Sequence, residues 1–179
     1  YGLFNQRKDT WCERVYAPWT DMEALMRENN IPLYALESKN SLDKFDFIGF
    51  DACLMATAET ALMLDKHADY LIASEETEPG IGWYYTDWLT SLGKNTSLST
   101  VEIGKKIVDD FVSTCAKKCK GQKTTLSVID LAEFSNTIPD KLNSFAQSVS
   151  TKLTNKDYKS VSDARYTTRE FAVNSKIDQ

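Results

Sequence analysis

The chain predicts an α/β architecture, a mainly parallel sheet flanked by helices. Two short apolar runs rich in aromatic and branched residues, 45–50 (FDFIGF) and 70–74 (YLIAS), suit buried strands. A third run, 124–130 (TTLSVID), alternates as a strand does. Helical stretches follow each of them, and strand–helix alternation at this spacing favours parallel strands joined by helical crossovers.

Residues 1–16 carry no periodic pattern and read as loop or linker. Residues 17–30 read as a helix: Pro18 suits a first turn, Thr20 or Asp21 can cap, and Met22, Leu25 and Met26 form an apolar stripe. Asn29, Asn30 and Pro32 end it. After a short piece at 33–36 and a turn at 38–41 comes the first strand. Residues 54–66 are rich in Leu, Met and Ala and read as a helix starting directly after Cys53. Beyond the second strand, Pro79-Gly80-Ile81-Gly82 is turn chemistry. Trp83, Tyr84, Tyr85 and Trp88 then open a helix over 85–92, and this aromatic block is read as packing rather than as a cleft lining.

Ser99 and Glu102 have the spacing of a capping box, starting a helix from Val101 to about Cys119. Its expected buried face is Ile103, Ile107, Val108, Phe111, Val112 and Cys115, and Gly121 closes it. After the third strand, 131–134 and 141–153 read as separate helices, the second burying Leu142, Phe145, Val149 and Leu153. From Asn155 the chain looks polar and loop-like until Ala164.

Cys53 stands out by position. A thiol at a strand-to-helix switch lies at the carboxyl end of a strand, where α/β sheets present their working groups. Near a helix N-terminus it would also be biased toward thiolate. The competing reading is a small buried hydrophobe, the usual fate of a free cysteine. Asp51 lies two residues earlier, so in an extended segment the carboxylate and the thiol point the same way. The competing role for Asp51 is a helix N-cap. His67 is the single histidine of the chain, fourteen positions past Cys53. Across one continuous helix that is roughly 20 Å, out of reach of the thiol.

The run KFDFIGFDACLM (44–55), followed by ADYLIASEETEPGIGW (68–83) and more weakly by ARYTTREF (164–171), resembles the clostripain family of cysteine endopeptidases. The resemblance covers most of the chain from Ser41 onward. It implies a caspase-like three-layer sandwich, here partial and lacking the strands that bear the catalytic histidine. It implies Cys53 as nucleophile and Asp51 as the base of a pocket that selects Arg, less readily Lys, before the cleaved bond. A carboxylate there would bind such a side chain by charge-assisted hydrogen bonds. Ala52 would form a close small wall, and Thr77 and Glu78 would rim the pocket. The family's histidine precedes its cysteine in a His-Gly motif that residues 1–52 do not contain. It is therefore expected on an upstream segment or a separate light chain. The chain opens at Tyr1 without Met and closes at Gln179, and both ends read as cut from a longer protein. The domain division expected is 1–16 as a linker and zymogen-cleavage region, with Arg7, Lys8 and Arg14 as candidate sites, and 17–179 as a peptidase domain incomplete at both ends. The resemblance also implies secretion or a place in the cell envelope.

The remaining composition narrows the partners. With a net charge of −5, neither nucleic acid nor an anionic membrane is expected as a partner. No apolar run approaches the ~20 residues that span a bilayer. Cys115 and Cys119 fall on one helix face among lysines, without partner histidines, and read as structural rather than as zinc ligands. Thiol chemistry needs no cofactor; Glu75 and Glu76 read equally as a solvated or a calcium-binding face. Two functions remain: an endopeptidase acting on peptides with a basic residue before the cleaved bond, and a catalytically inactive caspase-like domain serving as a binding module.

Overall fold

The computed structural model describes residues 5–6, 8, 11–15, 18–41 and 45–172. Three strands form one sheet in the order β1 (Phe45–Gly49), β2 (Ala68–Ala73), β3 (Ser127–Asp130). The β1–β2 pair is parallel, as expected of strands joined by a helical crossover. β3 runs antiparallel to β2, so the described sheet is mixed.

Register places apolar residues in rows. Ile48, Leu71 and Ile129 are neighbours across the three strands, and the next row holds Gly49, Ile72 and Val128. Successive residues of a strand face opposite ways, so the two rows feed two cores. On one face, Ile48, Leu71, Ala73 and Ile129 pack with Ala61 and Leu64 of α2 (Ala58–Leu64) and Leu131 and Phe134 of α5 (Leu131–Thr154). On the other, Phe47, Ile72 and Val128 pack with Trp88 of α3 (Tyr85–Lys94) and Ile107, Phe111 and Cys115 of α4 (Thr100–Lys118). Helix, sheet and helix make three layers. Leu71 and Ile72 are wholly buried, each contributing roughly 2–3 kcal/mol.

Gly49 matters to the second core because a Cβ there would stand 2.9 Å from Cη2 of Trp83. Its missing side chain lets the indole approach β1 closely.

Most helices fall where expected, with informative exceptions. α4 begins in the anticipated capping box, Ser99 and Glu102 bonding reciprocally, although Val112 is 40% exposed. The helix expected from Leu54 instead starts at Ala58, capped by Thr57, whose hydroxyl accepts from the N–H of Thr60 at 3.1 Å. The two helices expected after β3 are one, α5, running through Pro139. Its second half is not buried as the apolar spacing suggested: Leu142, Phe145 and Leu153 are 45, 66 and 42% exposed. The stretch after Asn155, expected as loop, forms α6 (Tyr158–Thr167), started by Asp157 accepting from the N–H of Ser160.

Before the sheet, α1 (Thr20–Glu28) starts after Trp19, with Thr20 and Asp21 inside the helix rather than capping it. Its stripe is largely open, Met22 and Leu25 being 54 and 55% exposed. Of the basic residues expected to mark a cleavage site, Arg7 lies outside the described residues. Arg14 is tied to Glu37, whose Oε1 accepts from Nε at 2.7 Å while Oε2 accepts from the Arg14 N–H at 2.9 Å. No described helix is long and apolar enough to cross a membrane.

Candidate active site at the carboxyl ends of the first two strands

After β1 the chain does not enter a helix. Residues 51–54 make a tight turn in which Leu54 takes a left-handed φ of 61°. Long-range bonds hold the turn: the Leu54 N–H donates to the carbonyl of Glu76 at 3.2 Å, and the Ala56 N–H to that of Ser74 at 2.9 Å. Cys53 therefore precedes α2 by several residues. The expectation that a helix N-terminus would act on the thiol is not met.

What meets the thiol is the loop after β2. Sγ of Cys53 accepts from the N–H of Glu78 at 3.2 Å and lies 3.8 Å from the Glu78 carbonyl, to which the thiol can donate. Cys53 is exposed, so the buried-hydrophobe reading falls.

Asp51 is braced from the same loop and from α3. Its Oδ1 accepts from the N–H of Trp83 and its Oδ2 from the hydroxyl of Tyr85, each at 3.0 Å. The cap of α2 is Thr57, so Asp51 has no capping role. Burial first, and then the Asp51 charge, push the Tyr85 phenol well above its ordinary range and keep it a donor. Gly82, at φ +63°, closes the loop onto the carboxylate.

Asp51, Ala52, Cys53 and Glu78 line one open pocket of about 410 Å³, closed on its other side by Pro79, Gly80, Ile81 and Gly82. Both oxygens of Glu78 are buried without a donor partner. Burial first, and then the neighbouring Asp51 carboxylate, raise the Glu78 carboxyl to about 7.

Not every expected residue joins the pocket. Thr77 is absent from its lining, and its N–H donates to Oε1 of Glu76 at 2.9 Å. Glu76 is 3% exposed, so it is no solvated face, while Oε1 of Glu75 accepts from the Ser127 hydroxyl at 2.6 Å. Among the described residues no three His, Cys, Asp or Glu side chains gather as a metal site would need. Cys115 is buried in the core, its thiol pushed up to about 11 chiefly by burial. His67 precedes β2 while Cys53 follows β1, and the two strands are parallel neighbours. The histidine and the thiol therefore sit at opposite ends of the sheet, roughly 15–20 Å apart at 3.3 Å per residue. The residues missed by sequence reading are Tyr85 and Gly82. The Gly-Ile-Gly turn was visible, but nothing local linked it to Asp51.

The family model described as the clostripain family matches residues 27–178. Three solved structures are similar to parts of the chain. A B. fragilis cysteine protease is 20% identical, with 70% of this chain and 49% of that one covered and a TM-score of 0.44. A secreted cysteine protease from Bacteroides thetaiotaomicron, bound to an irreversible peptide inhibitor, is 31% identical over 51% of this chain and 27% of that one, with a TM-score of 0.41. A clostripain from Bacteroides thetaiotaomicron, bound to a peptide inhibitor, is 24% identical over 70% and 50%, with a TM-score of 0.43. The chain thus spans half or less of the length of these structures. No curated protein matches it.

Proposed function

Because the chain belongs to the clostripain family, we propose that it carries the nucleophile and the specificity pocket of a cysteine endopeptidase that cleaves after Arg, and less readily after Lys. The observation that carries this reading is that the Cys53 thiol and the Asp51 carboxylate line one open pocket. Cys53 attacks the scissile carbonyl as thiolate, with its own backbone N–H as one donor to the oxyanion. Asp51, with Glu78 when ionised, draws the guanidinium or ammonium of the substrate, and Ala52 keeps one wall low. The general base is a histidine from outside residues 1–179, on a preceding segment or a light chain, because His67 lies at the far end of the sheet. The reaction needs no cofactor, and the enzyme acts outside the cell or in its envelope.

That placement of His67 also favours a second reading, a catalytically inactive domain that binds basic peptides. An arginyl chloromethylketone separates the two. In the full-length protein it should alkylate Cys53, read by intact mass, and a peptide amide of arginine should protect it. If Cys53 stays unlabelled in folded full-length protein, the peptidase reading is lost and the binding module stands.

A further inference from the structure

Glu76 is a charged residue 3% exposed, within the loop that faces the thiol yet outside the pocket lining. Its Oε1 accepts from two backbone N–H groups, Thr77 at 2.9 Å and Ala172 at 2.7 Å. Those two contacts, Thr77 before Ala172, hold its carboxyl below the ordinary range. Its own N–H donates to Oγ of Ser74 and Oγ1 of Thr125, at 3.1 and 3.0 Å. Its carbonyl accepts from the Ser74 hydroxyl at 2.8 Å and from the N–H of Leu54, next to the nucleophile, at 3.2 Å. One residue thus bonds to the cysteine turn, to the exit of β2, to the approach to β3, and to a segment 96 residues further on.

We propose that Glu76 is a positioning residue for the nucleophile. It joins residues 168–172, the loop after β2 and the Cys53 turn into one unit that holds the Cys53 thiol against the Glu78 N–H. Ala172 reaches Glu76 through its backbone, so the segment after α6 acts on the active site without touching substrate. The idea rests on the peptidase reading for its kinetic consequence, though not for its geometry. A thiol misplaced by an ångström loses attack rate more than binding.

The test uses the full-length protein and two readouts, hydrolysis of an arginyl peptide and the alkylation rate of Cys53 by iodoacetamide, read on the Cys53 peptide. Glu76→Ala should lower kcat by about tenfold and move KM by a smaller factor, with a parallel several-fold drop in alkylation. Glu76→Gln retains an oxygen for both N–H groups and should recover most of each rate. A folded Glu76→Ala protein with wild-type alkylation overturns the proposal, and so does a Gln variant as impaired as Ala. Should Glu76→Ala fail to fold, Ala172→Pro removes the distant donor and, because the ring cannot adopt the φ of 55° at Ala172, moves that segment off Glu76 while leaving Glu76 itself unchanged. Wild-type alkylation in that variant, once shown to be folded, also overturns the proposal. If the wild type hydrolyses no arginyl peptide, the peptidase reading fails, while the alkylation comparison still decides the role of Glu76.

Discussion

A Cβ placed on Gly82 would stand 2.9 Å from Oδ2 of Asp51 and 3.1 Å from Oδ1. Backbone and carboxylate touch there because no side chain intervenes, and the φ of +63° is one that L-residues other than glycine adopt with strain. Gly82→Ala should therefore cost about 1–3 kcal/mol of stability. It should also lower kcat/KM for arginyl peptides while iodoacetamide still reaches Cys53 at its wild-type rate. Chemical denaturation and the two rate measurements check this, and unchanged stability would show that the loop does not press on Asp51.

Charge and shape at Asp51 can be separated. Asp51→Asn keeps an oxygen for the Trp83 N–H or the Tyr85 hydroxyl and removes the charge. Under the proposed specificity, kcat/KM for arginyl and lysyl peptides falls by about a hundredfold, ~3 kcal/mol of lost pairing. Retention of full activity with the same preference would sink the pocket assignment.

Cys53→Ala should abolish hydrolysis and leave the fold intact, since the thiol is exposed and packs in neither core. Circular dichroism and an arginyl peptide assay on the full-length protein decide it. Residual turnover above about one-thousandth of wild type would place the nucleophile elsewhere.

Glu78 makes the pocket sensitive to pH. Its folded value of about 7 lies above its ordinary 4.5, so between these values the native chain binds more protons than the unfolded one. Its contribution to stability is full below about 4.5 and is lost as pH rises through about 7. Under the proposed specificity a cationic substrate prefers Glu78 ionised, so kcat/KM for arginyl peptides should rise through the same window. Glu78→Gln should flatten that rise, measured as the difference between the two pH profiles. A rise of undiminished size in the Gln variant would assign the titration to another group.

The Thr57 cap offers a control remote from the chemistry. Thr57→Ala should cost about 1 kcal/mol and lower Tm by about 2–4 °C. A larger loss would mean that Thr57 does more than start α2.

The strands and the cysteine's place in the fold were legible because apolar runs such as FDFIGF and YLIAS are local signals. Leu54, Met55 and Ala56 were misread for the opposite reason. Their composition favours helix, and what holds them in a turn is bonding to Ser74 and Glu76, residues about twenty positions away in the chain. The placement of Asp51 beside Cys53 was legible, whereas its braces, the Trp83 N–H and the Tyr85 hydroxyl, lie 32 and 34 residues on. Separate helices were expected over 131–134 and 141–153, yet α5 runs unbroken through Pro139, because losing one N–H and straining one turn, about 3 kcal/mol, does not end a helix whose first turns are anchored at Leu131.

The two walls of the pocket follow β1 and β2, neighbours that run parallel. Such neighbours come together only through a crossover, here the segment containing α2. On refolding, the pocket therefore arises in a non-local event, the docking of β2 beside β1, and not in the formation of any single turn. A thiol open to any electrophile in the unfolded chain acquires its Asp51 and Glu78 surroundings only at that step. Under the proposed specificity, discrimination by charge is thus gained late, with the topology.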